Sequence, residues 1–202
     1  MTEEIIRLFD YTGTFAFAVS GALAAAEKKF DLFGGLFLGF VTAIGGGTFR
    51  DMMLGNTPVT WLHDMRIFYA IVLAVILTFL FRPTILKFPK ALFLFDTIGI
   101  SVFTIIGLQK GLQAEIHIPI AIMMGITTAV VGGIIRDVLC NEIPLIFHKE
   151  IYATACLVGG VVFVFMLLLQ VPEEITVFCA AFVIFTMRTL SVYYNWTLPK
   201  FK

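Results

Sequence analysis

Two segments of this chain repeat each other at a spacing of 86 residues: Gly46-Gly47-Thr48-Phe49-Arg50-Asp51 with Pro58, and Gly132-Gly133-Ile134-Ile135-Arg136-Asp137 with Pro144. The register extends upstream without a gap. Leu8, Phe9, Asp10, Gly13, Phe17, Gly21, Gly39, Thr42 and Ala43 match Leu94, Phe95, Asp96, Gly99, Phe103, Gly107, Gly125, Thr128 and Ala129. A chain with this internal duplication folds as two copies of one unit, and each copy places a glycine pair and an Arg-Asp pair at the end of a long apolar run.

Those apolar runs decide the solvent. With 59% hydrophobic and 14% charged residues and a mean hydropathy of +0.98, the chain has too little polar surface for a water-soluble globule. About 20 apolar residues span a bilayer as a helix, and seven such segments are legible: 5–26, 32–54, 66–81, 91–110, 117–140, 151–170 and 174–191. The predicted fold class is all-α and integral to the membrane. It is a single transmembrane domain over 1–202, with repeat one at 5–81, repeat two at 91–170 and a seventh helix at 174–191. Three spans per copy is an odd number, so the copies run in opposite directions across the membrane, as transport proteins use around a central site. The first segment is read as a retained span and not a cleaved signal, because Glu3 and Glu4 precede it and Asp10 lies within it.

Charge placement gives the same topology. Motif arginines aside, Lys28, Lys29, Arg82, Lys87, Lys90, Lys149, Arg188, Lys200 and Lys202 fall on one side, against Arg7, Arg66 and Lys110 on the other. The positive-inside rule makes the first side cytoplasmic, with the N-terminus outside and the C-terminus inside. Asn195-Trp196-Thr197 then lies on the wrong side for glycosylation.

Within the second and fifth spans, Gly35, Gly39, Ala43 and Gly47, like Ala121, Gly125, Ala129 and Gly133, recur every four residues and let another backbone approach. Gly45-Gly46-Gly47 and Gly132-Gly133 go further. Consecutive glycines cost roughly 1 kcal/mol each in helix propensity relative to alanine, so they predict a kink or a locally unwound turn. Freed carbonyl oxygens there would face water or a passing cation, with Thr42 and Thr128 one turn upstream. Arg50, Asp51, Arg136 and Asp137 are the costly residues of these spans, at about 2.5 to 3.5 kcal/mol each near a bilayer centre. Adjacent residues on a helix face different ways, so the expected partners lie on other helices, foremost Asp10 and Asp96. As a set these six form a charged pore or gate; as interfacial anchors they form none.

Other chemistries lack their residues. Cys140, Cys156 and Cys179 have no metal spacing and read as small buried hydrophobes. His63, His117 and His148 have no nucleophile or acid at useful spacing, which argues against an enzyme. The glycine motif lacks the Lys-Ser/Thr ending of a phosphate-binding loop, and a net charge of zero offers nothing to nucleic acid.

The duplicated glycine motifs with Arg-Asp and the downstream proline, in two three-span repeats followed by a seventh span, resemble the prokaryotic trimeric intracellular cation (TRIC) channel family along essentially the whole chain. That resemblance implies a homotrimer in a prokaryotic cell (inner) membrane, with one potassium-permeable path per protomer lined by the kinked second and fifth helices. Gly45, Gly46, Gly47, Gly132 and Gly133 take the kink positions, and Val131 replaces the first glycine of the second copy. Partners are potassium and sodium ions and membrane lipids; the resemblance implies no cofactor beyond permeant cations and bound lipid. Animal relatives bind a phosphoinositide through basic residues, and the short loops here carry no compact basic cluster. Part of the same superfamily resembles glycine transporters, which leaves a small-solute carrier of the same fold as the alternative.

Overall fold

Each apolar run becomes a helix, and the stops are chemical. Asp31 caps one helix by accepting a hydrogen bond from the Gly34 amide at 2.7 Å; Pro119 sits in the first turn of another. Lys29, Glu115, Asn141 and Gln170, each shortly after a helix, take left-handed φ values of 55° to 59° that end the helical path. A computed structural model of the chain describes residues 3–85, 88, 90–147 and 151–197. Among these the helices are α1 (Glu3–Glu27), α2 (Leu32–Met53), α3 (Met65–Ile85), α4 (Ala91–Gln113), α5 (Ile118–Leu139), α6 (Ala153–Leu168) and α7 (Glu173–Tyr193). Single 3-10 turns, Thr60–Leu62 and Leu145–Phe147, follow α2 and α5. His148, Lys87, Lys149, Lys200 and Lys202, all named above, lie outside the described residues.

Every expected span has its helix. Five of them, α2, α3, α4, α5 and α7, are long and apolar enough to cross a membrane by themselves. The 16-residue α6 is short for the task, and α1 carries Arg7 and Asp10 in its first turns. Both are completed by their neighbours, since α1 packs on α2, α3 and α4, and α6 on α7 and α5.

The copies are inverted. Tyr11 near the start of α1 donates to Asp64 before α3 at 2.7 Å, and one cavity at that end gathers Arg7 and Asp10 of α1, Arg66 of α3 and Lys110 from the far end of α4. At the opposite end, Lys28 after α1 pairs with Glu142 after α5, beside Leu92 from the start of α4 and Asp137 from the end of α5. So α4 runs against α1, and the two Arg-Asp motifs approach opposite faces. Reciprocal contacts mark the pseudo-twofold relation. A Cβ on Gly13 would meet Phe103, one on Gly99 would overlap Phe17, and the two phenylalanine rings stack at 5.3 Å between them. The seventh helix packs on α6 and α4, thus on the second copy.

Candidate functional site

Where α2 and α5 cross, the backbones touch. A Cβ on Gly46 would overlap the Thr128 carbonyl oxygen, and one on Gly132 would overlap that of Thr42, each the duplicate of the other contact. Local unwinding, expected at Gly45-Gly46-Gly47 and Gly132-Gly133, does not occur. Helix α2 is continuous from Leu32 to Met53 and α5 from Ile118 to Leu139. The propensity lost at the glycines is offset by a close crossing that no side chain permits. Thr42 and Thr128 are part of the same contact. Their hydroxyls donate back to Leu38 O at 2.6 Å and Met124 O at 2.7 Å, which spends the hydroxyl protons within the helix and leaves only oxygen lone pairs.

The Arg-Asp pairs depart from expectation in a different way. Arg50 reaches its own neighbour, with Nε and Nη2 donating to Asp51 Oδ1 at 2.9 and 2.7 Å, and Arg136 Nε donates to Asp137 Oδ1 at 2.8 Å. The arginine side chain is long enough to bend around the helix to the next residue, which the rule of helical faces overlooks. The other carboxylate oxygen has a separate task. Asp51 Oδ2 accepts from the Thr60 amide and Asp137 Oδ2 from the Leu145 amide, both at 2.9 Å. Each aspartate therefore ties the loop carrying Pro58 or Pro144 back onto the helix it left.

Beyond this shared plan the copies differ. Arg136 is fully buried, and its Nη1 donates to Asp96 Oδ1 at 2.7 Å and to the Ser20 hydroxyl; this is the partner expected on α4. The residue that corresponds to Ser20 for Arg50 is Ile106 of the second copy, a buried apolar residue that offers no such hydroxyl. Arg50 makes no bond to Asp10, and its Nη1 has no hydrogen-bond partner among the described residues although the residue is only 3% exposed. Space replaces the bond. A cavity of about 20 Å³, room for a water molecule, is lined by Asp10, Thr14, Gly47, Arg50, Asp51 and Thr60 among others. Asp10 and Thr60 also line the 550 Å³ cavity beyond, with Arg7, Tyr11, His63, Asp64, Arg66 and Lys110. At its rim the Tyr11 hydroxyl bonded to Asp64 holds that carboxyl below the usual carboxylate range.

Three contributors escaped the sequence reading. Arg188, counted there only among the charges of the cytoplasmic side, is 1% exposed inside α7, with its guanidinium over the rings of Phe93 at 4.9 Å and Tyr152 at 4.6 Å. An ionisable residue inside an apolar span was the available signal. Ser20 could have been found by setting it against Ile106. Tyr152 has no counterpart signal; it sits by Gly133, where a Cβ would lie 3.2 Å from its hydroxyl. Cys140 and Cys156 are buried as expected and Cys179 is half-buried. Among the described residues no three His, Cys, Asp or Glu gather as metal ligands.

Fold and site together define a seven-helix membrane protein built on an inverted duplication, with a buried arginine at each end of a central helix crossing. The sequence family described as "Glycine transporter" matches residues 7–83 and 93–167, which are the two copies. UPF0126 inner membrane protein YadS of Escherichia coli is 40% identical, covering 98% of this chain and 96% of its own. A UPF0126 membrane protein of Vibrio cholerae is 40% identical over all of this chain and 84% of its own. Among solved structures, the TRIC channel orthologue from Rhodobacter sphaeroides superposes with a TM-score of 0.91 at 36% identity, covering 96% of this chain and 100% of that one. A prokaryotic TRIC channel in 0.5 M KCl superposes at 0.88 with 32% identity, covering 96% and 99%. The chain belongs to the prokaryotic TRIC family, within the superfamily described as Glycine transporter. The solved neighbours are channels, not enzymes.

Proposed function

We propose that this protein is a monovalent cation channel of the prokaryotic inner membrane, permeable to potassium and sodium, assembled as a homotrimer with one path per protomer. The observation that carries the reading is a likeness over 96% of the chain, at 36% identity, to a protein described as a TRIC trimeric intracellular cation channel orthologue. The whole of 1–202 acts as one transmembrane domain, with repeats at 5–81 and 91–170 and an additional helix at 174–191. The path enters by the cavity holding Arg7, Arg66 and Lys110 and passes Asp10 and Arg50. It then crosses between α2 and α5 at the glycines and leaves past Asp137 and Glu142. The α2–α5 contact is closed to an ion as it stands, so conduction requires the two helices to separate at Gly46 and Gly132. Arg7, Arg66 and Lys110 mark the external face; Lys28, Lys29, Arg82 and Lys90 mark the cytoplasmic one. Membrane lipids cover the apolar exterior, and the protein uses no cofactor or nucleic acid.

A second reading, a carrier for a small zwitterion such as glycine, is favoured by one observation. Asp10, Lys110 and the Nη1 of Arg50 gather at the first-copy cavities without bonding one another, as an ammonium-and-carboxylate solute would require. Proteoliposomes separate the two. The channel reading predicts potassium efflux that grows linearly with gradient and is indifferent to glycine. Saturable glycine uptake without potassium efflux would move the assignment to the carrier.

A further inference from the structure

The duplication makes Asp10 and Asp96 equivalent, yet their surroundings are unlike. Asp96 is fully buried and held at 2.7 Å by Arg136 Nη1. Tyr152 of the second copy shares with it the space beside Gly133, and Arg188 of α7 stacks between Phe93 and Tyr152. Asp10 has no hydrogen bond or ion pair with any described side chain, and it is the carboxylate shared by the narrow cavity at Arg50 and the wide cavity beyond. Sequence divergence accounts for the difference. Ser20, which helps hold Arg136, has Ile106 as its counterpart. Thr14, which lines the narrow cavity, has the fully buried Ile100.

Resting on the channel reading, we propose that Asp10 sets cation-over-anion selectivity, in the first copy alone, and that Asp96 is an internal countercharge that never meets the permeating ion. The charge balance at the junction is the argument. Arg50 is neutralised by Asp51, and the wide cavity holds Asp10 and Asp64 against Arg7, Arg66 and Lys110. With the Asp10 carboxylate present the junction carries an oxygen ligand for a cation and a countercharge to Lys110. Without it the ammonium of Lys110 and the open Nη1 of Arg50 remain, and the junction repels cations and attracts anions. In the second copy the corresponding carboxylate is consumed by a guanidinium inside a closed core, where an ion would have to break a buried pair to reach it.

The test is the reversal potential of purified full-length protein in planar bilayers under a KCl gradient. Asp10→Asn is expected to lower potassium-over-chloride permeability about tenfold or more, as loss of one carboxylate within a few ångströms of a path does at intermediate dielectric. Lys110→Met should move it the opposite way, which keeps the proposal testable if Asp10→Asn does not assemble. Ser20→Ala, which loosens the Arg136 cluster without removing a charge, and Asp96→Asn, where it assembles, should leave the reversal potential at its wild-type value. An unmoved reversal potential in Asp10→Asn or Lys110→Met overturns the proposal, as does an equal shift in Ser20→Ala or Asp96→Asn. Wild-type protein without unitary steps would instead remove the channel reading and this proposal with it, a result distinguishable from steps whose selectivity ignores Asp10.

Discussion

Neighbouring glycines in one motif have different reasons to be glycine. Gly46 faces the Thr128 carbonyl so closely that any side chain forces α2 and α5 apart, whereas the nearest atom to a Cβ on Gly47 is Arg50 Nη2 at 3.8 Å. Gly46→Ala is therefore expected to destabilise the protein by about 1 to 3 kcal/mol through overpacking. Gly47→Ala should be neutral or gain up to roughly 1 kcal/mol from helix propensity. Thermal unfolding in detergent, run side by side, checks the contrast; equal effects would mean that the crossing is not what the glycines serve. Arg136 is the other residue with a sharp expectation. Arg136→Met leaves Asp96 and Asp137 buried without their partner and should cost about 3 to 5 kcal/mol, visible as failed assembly or a large drop in melting temperature. The duplicated positions of both residues were legible in the sequence. Their contacts were not, because nothing in a Gly-Gly pair names the backbone that faces it, here the Thr128 and Thr42 carbonyls.

At the level of elements, each copy ends its second helix with the same device. The carboxylate of Asp51 or Asp137 divides itself between the preceding arginine and an amide of the 3-10 turn beyond. Asp51→Asn and Asp137→Asn keep one accepting oxygen and lose the charge, so each should cost about 1 to 3 kcal/mol and expose the following loop to faster amide exchange. Unchanged exchange at Thr60 and Leu145 would show that the loops hold themselves. The Tyr11–Asp64 hydrogen bond joins α1 to the start of α3 with a defined pH signature. Asp64 titrates below an ordinary carboxylate, so its contribution to stability is present above the unfolded pKa and fades as pH falls through the folded one. The melting temperature should drop more steeply below about pH 4 in the wild type than in Tyr11→Phe, and parallel curves would remove this contact from the account. Helix positions and the loop prolines followed from hydropathy and turn chemistry. The clamp of Arg188 between Phe93 and Tyr152 did not, since it joins α4, α6 and α7, and no spacing rule links residues so far apart in sequence.

For the whole molecule, inversion was inferred from an odd number of spans per copy, and the structure meets it through Lys28–Glu142 at one end and Tyr11–Asp64 at the other. The departure from symmetry is what the duplication alone could not reveal. It resides in a few substituted positions, Ser20 against Ile106 and Thr14 against Ile100, and in α7, which has no counterpart and packs mainly on the second copy, meeting the first through Phe178 against Phe9. One half thus keeps a buried ionic core beside its exit cavity, and the other an open charged approach to the same helix crossing. The central claim is that cations cross the membrane through each protomer by way of that approach. Single-channel recording of the purified protein under biionic potassium, sodium and chloride gradients tests it most directly. The account predicts resolvable unitary steps with a reversal potential set by the monovalent cations. Silent bilayers from correctly assembled protein, or steps whose reversal potential follows chloride, would contradict it.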